Sequence, residues 1–364
     1  MTFPPSALAA LASMYESEAA QRLKAIEGQF DMAIRPTDHF VIRIDGVAFS
    51  TFTRGVELPF DERITRAMVS TTCDLVTRFN ALTGYTQSDE ISLVFPAAEV
   101  PSDSPYAAML QIRNSKKRSP KRKHETVADA DLMAEDSDAP ASANAVSSDA
   151  QSVQLAQTDG RVHMYNGRIQ KLASVTASFA AARFNYHLST PASQWDSLPN
   201  ERVRERMLAH EAYFDSRVFA LPDLRVAADS IFWRSNFDGL RNAVSHVAQS
   251  RFSRKELHGK SVRKQIDMLE AAGIDILASF SARHIFGTWV KREQFLLENA
   301  VNPKTGEPVE GPVLRTRLRT GSFNWADWTE DERTLFAASK FWPQDERAPP
   351  MDLLNEQKSN RIDQ

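Results

Sequence analysis

The chain has 364 residues, a formal net charge of −3 and 42% hydrophobic residues, enough for one large or two modest domains with a substantial core. That near-neutral balance excludes a nucleic-acid-binding field over the whole chain, so any such surface has to be local. A single cysteine, Cys73, excludes an internal disulfide framework and a cysteine-rich zinc site, and there is no apolar run of about 18 residues to span a membrane.

In chain order, residues 7–27 are predicted helical, with Leu8, Leu11, Tyr15, Ala19, Leu23 and Ile26 at three- and four-residue spacings. No basic residue precedes Arg22, and Glu16 and Glu18 are acidic, which argues against a secretory or transit peptide; a cytoplasmic or nuclear location is expected. HFVIRID, 39–45, alternates as a strand: Phe40, Ile42 and Ile44 point one way, and Val41, Arg43 and Asp45 the other, with Gly46 ending it. Asp61–Phe79 returns to helical period through Ile64, Met68, Leu75 and Phe79. YTQSDEISLVF, 85–95, then gives a hairpin whose tip is Ser88-Asp89 and whose second strand carries Ile91, Leu93 and Phe95 inward.

Composition changes sharply over 102–160. A basic cluster, KKRSPKRK at 116–123, precedes an acidic and Ala/Ser-rich stretch with almost no large apolar residue, so a disordered insertion is expected. The cluster resembles a nuclear localisation signal or an RNA-contacting loop; neutralisation by the neighbouring acids is the alternative. Helical spacing resumes with Ile169, Leu172, Val175, Phe179, Ala182 and Tyr186, and AYFDSRVFAL, 212–221, reads as a strand. Helical patterns follow from Arg225 to about Gln249, then a basic segment, RFSRKELHGKSVRK at 251–264. The expected units are thus 1–101 (first half of a catalytic module), 102–160 (insertion), 161–222 (second half), 223–343 (helical, RNA-facing) and 344–364 (disordered tail).

The central order is strand, helix, strand, strand, helix, strand, an α+β arrangement of the ferredoxin-like type. Such a sheet sets the third strand antiparallel beside the first, which predicts that Asp45 and Asp89 are neighbours. Two carboxylates at one sheet end suit magnesium, which takes one or two protein carboxylates and completes its shell with water and substrate phosphate. Gly46 would let its backbone approach a metal or phosphate, and the amides of Val47, Ala48, Phe49 and Ser50 would cradle a triphosphate. Glu90 points to the opposite face from Asp89 and is the weaker ligand candidate. The alternatives are acids that merely suit a turn and, for Asp45, an ion pair with Arg43. Arg168 and Lys171, one turn apart, either bind phosphates or form a solvated helix face. The same choice holds for Arg251, Arg254, Lys255, Lys260, Arg263 and Lys264.

FVIRIDGVAFSTF, PFDERITRAM, YTQSDEISLVF, GRIQKLAS, FDSRVF, WRSNFDGLRNAV, FSRKELHGKS and GTWVKRE fall in the order seen in the tRNA-histidine guanylyltransferase family, which includes 3′–5′ polymerases that repair tRNA 5′ ends. The resemblance covers about 36–325. It implies a polymerase-type palm fold with an added C-terminal helical region. It also implies two magnesium ions on Asp45, the Gly46 backbone and Asp89, and a nucleoside triphosphate site lined by residues 45–50 and Ser88-Asp89. ATP would activate the tRNA 5′-monophosphate, and the 3′-hydroxyl of GTP, the preferred nucleotide, would then attack it. Arg168, Lys171 and Ser174 match positions near the phosphates, and Lys260 matches a tRNA-facing lysine. Asp238, Arg241 and Asn242 stand with Arg254, Lys255 and Lys260 as the tRNA-facing set. The partners implied are tRNA and nucleoside triphosphates, in a homo-oligomer that is commonly a tetramer.

Departures bear on nucleotide choice: Val47 replaces a basic residue common after the Asp-Gly pair, Ser50 a His or Thr, and Leu58 a Lys. NFDGLRNAVS stands where strict histidine-tRNA enzymes carry HINxxYN, which resembles the template-directed repair branch. Two other classes fit the residues: a palm-fold nucleotide cyclase, although QSDEI lacks the usual GG[DE]EF turn, and a tRNA-binding quality factor without turnover.

Overall fold

A computed structural model describes residues 17–99, 162–190, 195–198, 200–302 and 304–351. The insertion expected at 102–160 and its basic cluster lie outside the described residues, as does the N-terminal half of the helix expected at 7–27.

The elements are α1 Glu18–Gly28, β1 His39–Gly46, α2 Glu62–Phe79, β2 Thr83–Gln87, β3 Glu90–Phe95, α3 Ile169–Ser189, α4 Glu201–Leu208, β4 Phe214–Leu221, α5 Leu224–Trp233, a π-turn Arg234–Asp238, α6 Gly239–Arg251, α7 Val262–Ala271, β5 Thr288–Leu297, β6 Val313–Gly321 and α8 Glu330–Ala338. One antiparallel sheet runs β4-β1-β3-β2-β5-β6. Its first four strands follow the connectivity expected from the sequence, with β3 beside β1. The α2 helix starts where Asp61 caps it by accepting from the Arg63 amide, and it stops at Asn80, in the left-handed region at φ 53°.

One face of the sheet is apolar along its length. Phe40, Ile42 and Ile44 of β1 and Ile91, Leu93 and Phe95 of β3 are buried with Met68, Leu75 and Phe79 of α2 and Leu172, Ala180 and Phe184 of α3. The other face changes character along the strands. Val41, Val94, Tyr85 and Trp289 pack under Phe232 of α5 and Phe336 of α8. Further along the same strands that face carries Arg43, Asp45, Glu90, Ser92, Asp215 and Arg217.

Two expectations change. The region 223–343 is not helical throughout: β5 and β6 pair from Trp289↔Gly321 to Leu297↔Val313 and extend the sheet. GTWV hid this because residues 288–291 are all buried, without the alternation of a half-buried strand. Nor does a structureless tail begin at 344. Thr320 and Met351 exchange backbone hydrogen bonds of 3.0 and 2.6 Å, and the Trp342 indole donates to the Ala348 carbonyl at 2.7 Å.

Candidate active site

Asp45, the penultimate residue of β1, lies directly opposite Glu90, the first residue of β3. The Gly46 amide donates to the Asp89 carbonyl at 3.1 Å, so the two aspartates flank one hydrogen-bonded junction. Gly46 fills this junction without a side chain. A Cβ there would lie 2.5 Å from the Phe49 ring and 3.0 Å from the Asp89 Cβ. Ser88 turns the hairpin at φ 53°, a conformation that costs most residues energy. Burial raises the Asp89 carboxyl above its ordinary range, and the charge of Asp45 raises it further. Asp45 is raised by burial and by Asp215, against the pull of Arg43 and Arg217. The expected alternative, an Arg43–Asp45 ion pair, does not form; Arg43 acts on Asp45 only through its field.

The residues beside Asp45 are paired in an unusual way. Asp45 sits opposite Asp215 in β4, and Arg43 opposite Arg217. Like charges directly across a ladder are destabilising. The single ion pair within this square is loose, Asp215 to Arg217 at 3.7 Å. The Arg43 Nε and one Glu90 oxygen are buried without hydrogen-bond partners among the described residues. The other Glu90 oxygen lies 3.5 Å from Arg234, which also holds Asp238. Asp238 in turn pairs with Arg241 at 3.1 Å. The structure therefore assigns Asp238 and Arg241, expected to face tRNA, to a chain of charges running back to Asp45.

On the other side of the hairpin tip lies a cavity of about 500 Å³, the size of a nucleotide-class site. Ser50, Ser88, Asp89 and Thr86 line its sheet end, and Phe60, Met68, His284, Arg283, Asn242 and Arg254 line the remainder. Phe60 and His284 stack with centroids 4.5 Å apart and an 11° interplanar angle. Arg283 pairs with Glu62 at 2.6 Å. The Gln87 amide donates to the carbonyls of His284 and Ile285 at 3.1 and 2.9 Å, fixing that wall to β2.

The other expected residues divide. The loop after Gly46 is not a free row of amides, because Val47 N–H donates to the Tyr213 carbonyl at 2.9 Å. Ala48, at φ 51°, caps the single helical turn Phe49–Phe52, and Phe49 is committed to the core through its side chain. Ser50 alone of the four brings an exposed side chain to the cavity. Arg168, Lys171 and Ser174 are not brought to the carboxylates. Arg168 bridges Ala33, ahead of β1, and so lies at the end of the sheet remote from Asp45. Lys171 Nζ lies over Tyr165 at 5.4 Å, and Ser174 donates to the Lys171 carbonyl. Asn242 and Arg254 reach the cavity, whereas Lys255 and Lys260 are exposed. Sequence reasoning missed Arg217, Arg234, Phe60 and His284. The like-charge match of VIRID with FDSRV was a signal for Arg217, but only once the β1–β4 register is known.

The family model for tRNAHis guanylyltransferase, Thg1, matches residues 20–120. An uncharacterised protein, R259, of Acanthamoeba polyphaga mimivirus is 27% identical over 283 residues, 77% of this chain and 79% of that one. Among solved structures, a bacterial tRNA(His) guanylyltransferase (Thg1)-like protein in complex with ATP is similar in fold, with a TM-score of 0.51, 22% identity and coverage of 76% of this chain and 87% of that one. A bacterial Thg1-like protein in complex with GTP gives a TM-score of 0.49 at 20% identity, over 83% of this chain and 90% of the other.

Proposed function

We propose that the chain is a member of the tRNAHis guanylyltransferase family, whose model matches residues 20–120, and that it is a nucleotidyltransferase that adds nucleotides, GTP preferentially, to the 5′ end of tRNA in the 3′–5′ direction after ATP-dependent activation of that end. The observation that carries this reading is the Asp45–Gly46–Asp89 junction, whose Asp89 also lines a nucleotide-sized cavity. In this reading β1–β4 with α2 and α3 are a polymerase-type palm.

The donor set fits magnesium. Two carboxylates with raised proton affinity lack a countercharge in contact, and at Gly46 between them any side chain would collide with the Phe49 ring and the Asp89 Cβ. Among the described residues no three metal-ligating side chains converge, which suits an ion that leaves most positions to water and phosphate. Asp45, Asp89 and the Gly46 backbone would hold it, and the ion would supply charge to the phosphoryl oxygens during displacement. The chain's own residues do the rest. Arg43 and Arg217 present two guanidinium groups on the sheet face beside Asp45, where a phosphate would remove their mutual repulsion. The Phe60–His284 wall and Asn242 offer a stacking surface and an amide to a base.

The test is incorporation of labelled GTP with magnesium and ATP into two 5′-monophosphorylated tRNAs, one truncated at its 5′ end and one a histidine tRNA lacking its additional guanosine. Wild type should extend at least one of them. Asp45→Ala and Asp89→Ala should each reduce extension on the order of a thousandfold with unchanged circular dichroism. Extension that survives both substitutions, or no extension of either tRNA, would defeat the reading.

A further inference from the structure

Large aromatics at helical spacing normally face a core, and Phe232 does, at 1% exposure. Its neighbour Trp233 is 48% exposed, and Phe237, one turn on, is 61% exposed. The two rings stack with centroids 6.2 Å apart and 25° between planes. Trp233 precedes the π-turn Arg234–Asp238 and Phe237 lies within it, a helix irregularity that recurs at functional sites. Scattered exposed apolar residues need no explanation, but two stacked, exposed rings do, one of them with the Arg234 guanidinium over it.

Their surroundings are basic and lead to the carboxylates. The Arg234 guanidinium lies 5.0 Å from the Trp233 ring centroid and 3.5 Å from Glu90, the register partner of Asp45. Arg241, one turn beyond Phe237, has a side chain 58% exposed, and that of Arg217 is 59% exposed. A flat aromatic surface flanked by arginines is complementary to an unpaired base with its phosphates, because every base offers a stacking face and the backbone is anionic.

We propose that Trp233 and Phe237 form a stacking platform for an unpaired nucleotide at the end of the RNA substrate. The platform is linked to Asp45 through Arg234 and Glu90, so the stacked base belongs to the single-stranded overhang beside the reacting terminus. The duplex behind it would make backbone contacts only. This inference rests on the reading of the site as one that acts on an RNA end.

The experiment compares two 5′-monophosphorylated RNA hairpins with the same stem, one blunt and one with an unpaired 3′ overhang carrying 2-aminopurine. Wild type should bind the overhang form more tightly and quench its fluorescence. Trp233→Ala and Phe237→Ala should each weaken overhang binding on the order of tenfold and release the quenching, with blunt binding within about twofold of wild type. Trp233→Phe, which keeps a ring, should retain most of the effect. Equal weakening of both RNAs, unaltered quenching, or loss of self-association with RNA binding intact would each overturn the platform. The last result would make the patch a contact between copies of the chain. Overhang-selective binding by a wild type that incorporates no nucleotide would support the platform while sinking the enzymatic reading. Incorporation without any overhang preference would do the reverse.

Discussion

Two cationic side chains in this molecule, one buried and one half-buried, are held in opposite ways. Lys291, fully buried on β5, directs its ammonium at four oxygens: Thr83 Oγ1 at 2.5 Å, Ser339 O at 2.6 Å, Phe336 O at 2.8 Å and Leu82 O at 3.3 Å. Two of these belong to the C-terminal end of α8, where backbone carbonyls lack helical partners and the dipole favours positive charge. Arg43, on β1, faces another arginine and buries a nitrogen that meets no acceptor among the described residues. A buried charge saturated by its own chain is a structural staple. A half-buried charge with an unsaturated nitrogen next to two raised carboxylates is a site arranged for something that binds. The difference predicts that substitutions at the first should cost stability and those at the second should cost substrate.

The largest of these effects is expected at Lys291. Lys291→Met keeps the volume but leaves several buried oxygens without a donor, which should cost about 3 kcal/mol and lower Tm by roughly 10 °C. Activity per folded molecule should be unchanged. Burial pushes the Lys291 ammonium well below 10.5. The unfolded chain therefore holds the proton more tightly, and wild-type stability should rise with pH up to the unfolded lysine's own value. The methionine variant should lack that contribution, read from urea melts across the alkaline range. A variant as stable as wild type would mean that the four oxygens are satisfied without the ammonium.

The next effect belongs to Arg43. Arg43→Gln removes one of two facing guanidinium groups, so the metal-free protein should melt no lower than wild type, with a gain of at most about 1 kcal/mol. The KM for the triphosphate substrate should rise about tenfold, the scale of one charge-assisted hydrogen bond. Arg217→Gln should behave alike, and the double variant should lose less than the sum if both guanidinium groups serve one phosphate. A fall in Tm with unchanged KM would return Arg43 to the structural class of Lys291.

How much of this was legible follows from which interactions are local. The β1–α2–β2–β3 order is written in alternation, in Asp61 as a cap and in the hairpin tip, and topology alone then brought Asp45 beside Asp89. The C-terminal hairpin was not legible, because buried Trp289, Val290 and Lys291 carry no period of two. Asp45 remained ambiguous because its place suits a metal contact and an ion pair with Arg43 alike; only the β1–β4 register, which sets Arg43 against Arg217 and Asp45 against Asp215, bears on the choice. The cavity draws on segments from Phe49 to Thr288 and has no linear signature. Arg168 and Lys171 share a face with each other, but nothing in their spacing reveals which end of the sheet that face occupies.

The smallest effect tests the carboxylates without any turnover. Asp89 is raised by burial and by Asp45, so the folded protein binds its proton more tightly than the unfolded chain does. The sign is therefore the reverse of a salt-bridged acid: the ionised carboxylate opposes folding above its folded value, and metal-free stability should grow as pH falls through that value. Asp89→Asn removes the opposing charge and should raise the metal-free Tm at neutral pH by about 2–4 °C, the shift that roughly 1 kcal/mol gives in a chain of this class. Magnesium should raise the wild-type Tm, and less so at acid pH, where protons compete for the same oxygens. It should leave Asp89→Asn nearly unmoved. A magnesium shift of equal size in both proteins would place the ion elsewhere, and the raised carboxylates would then need a cationic partner of another kind.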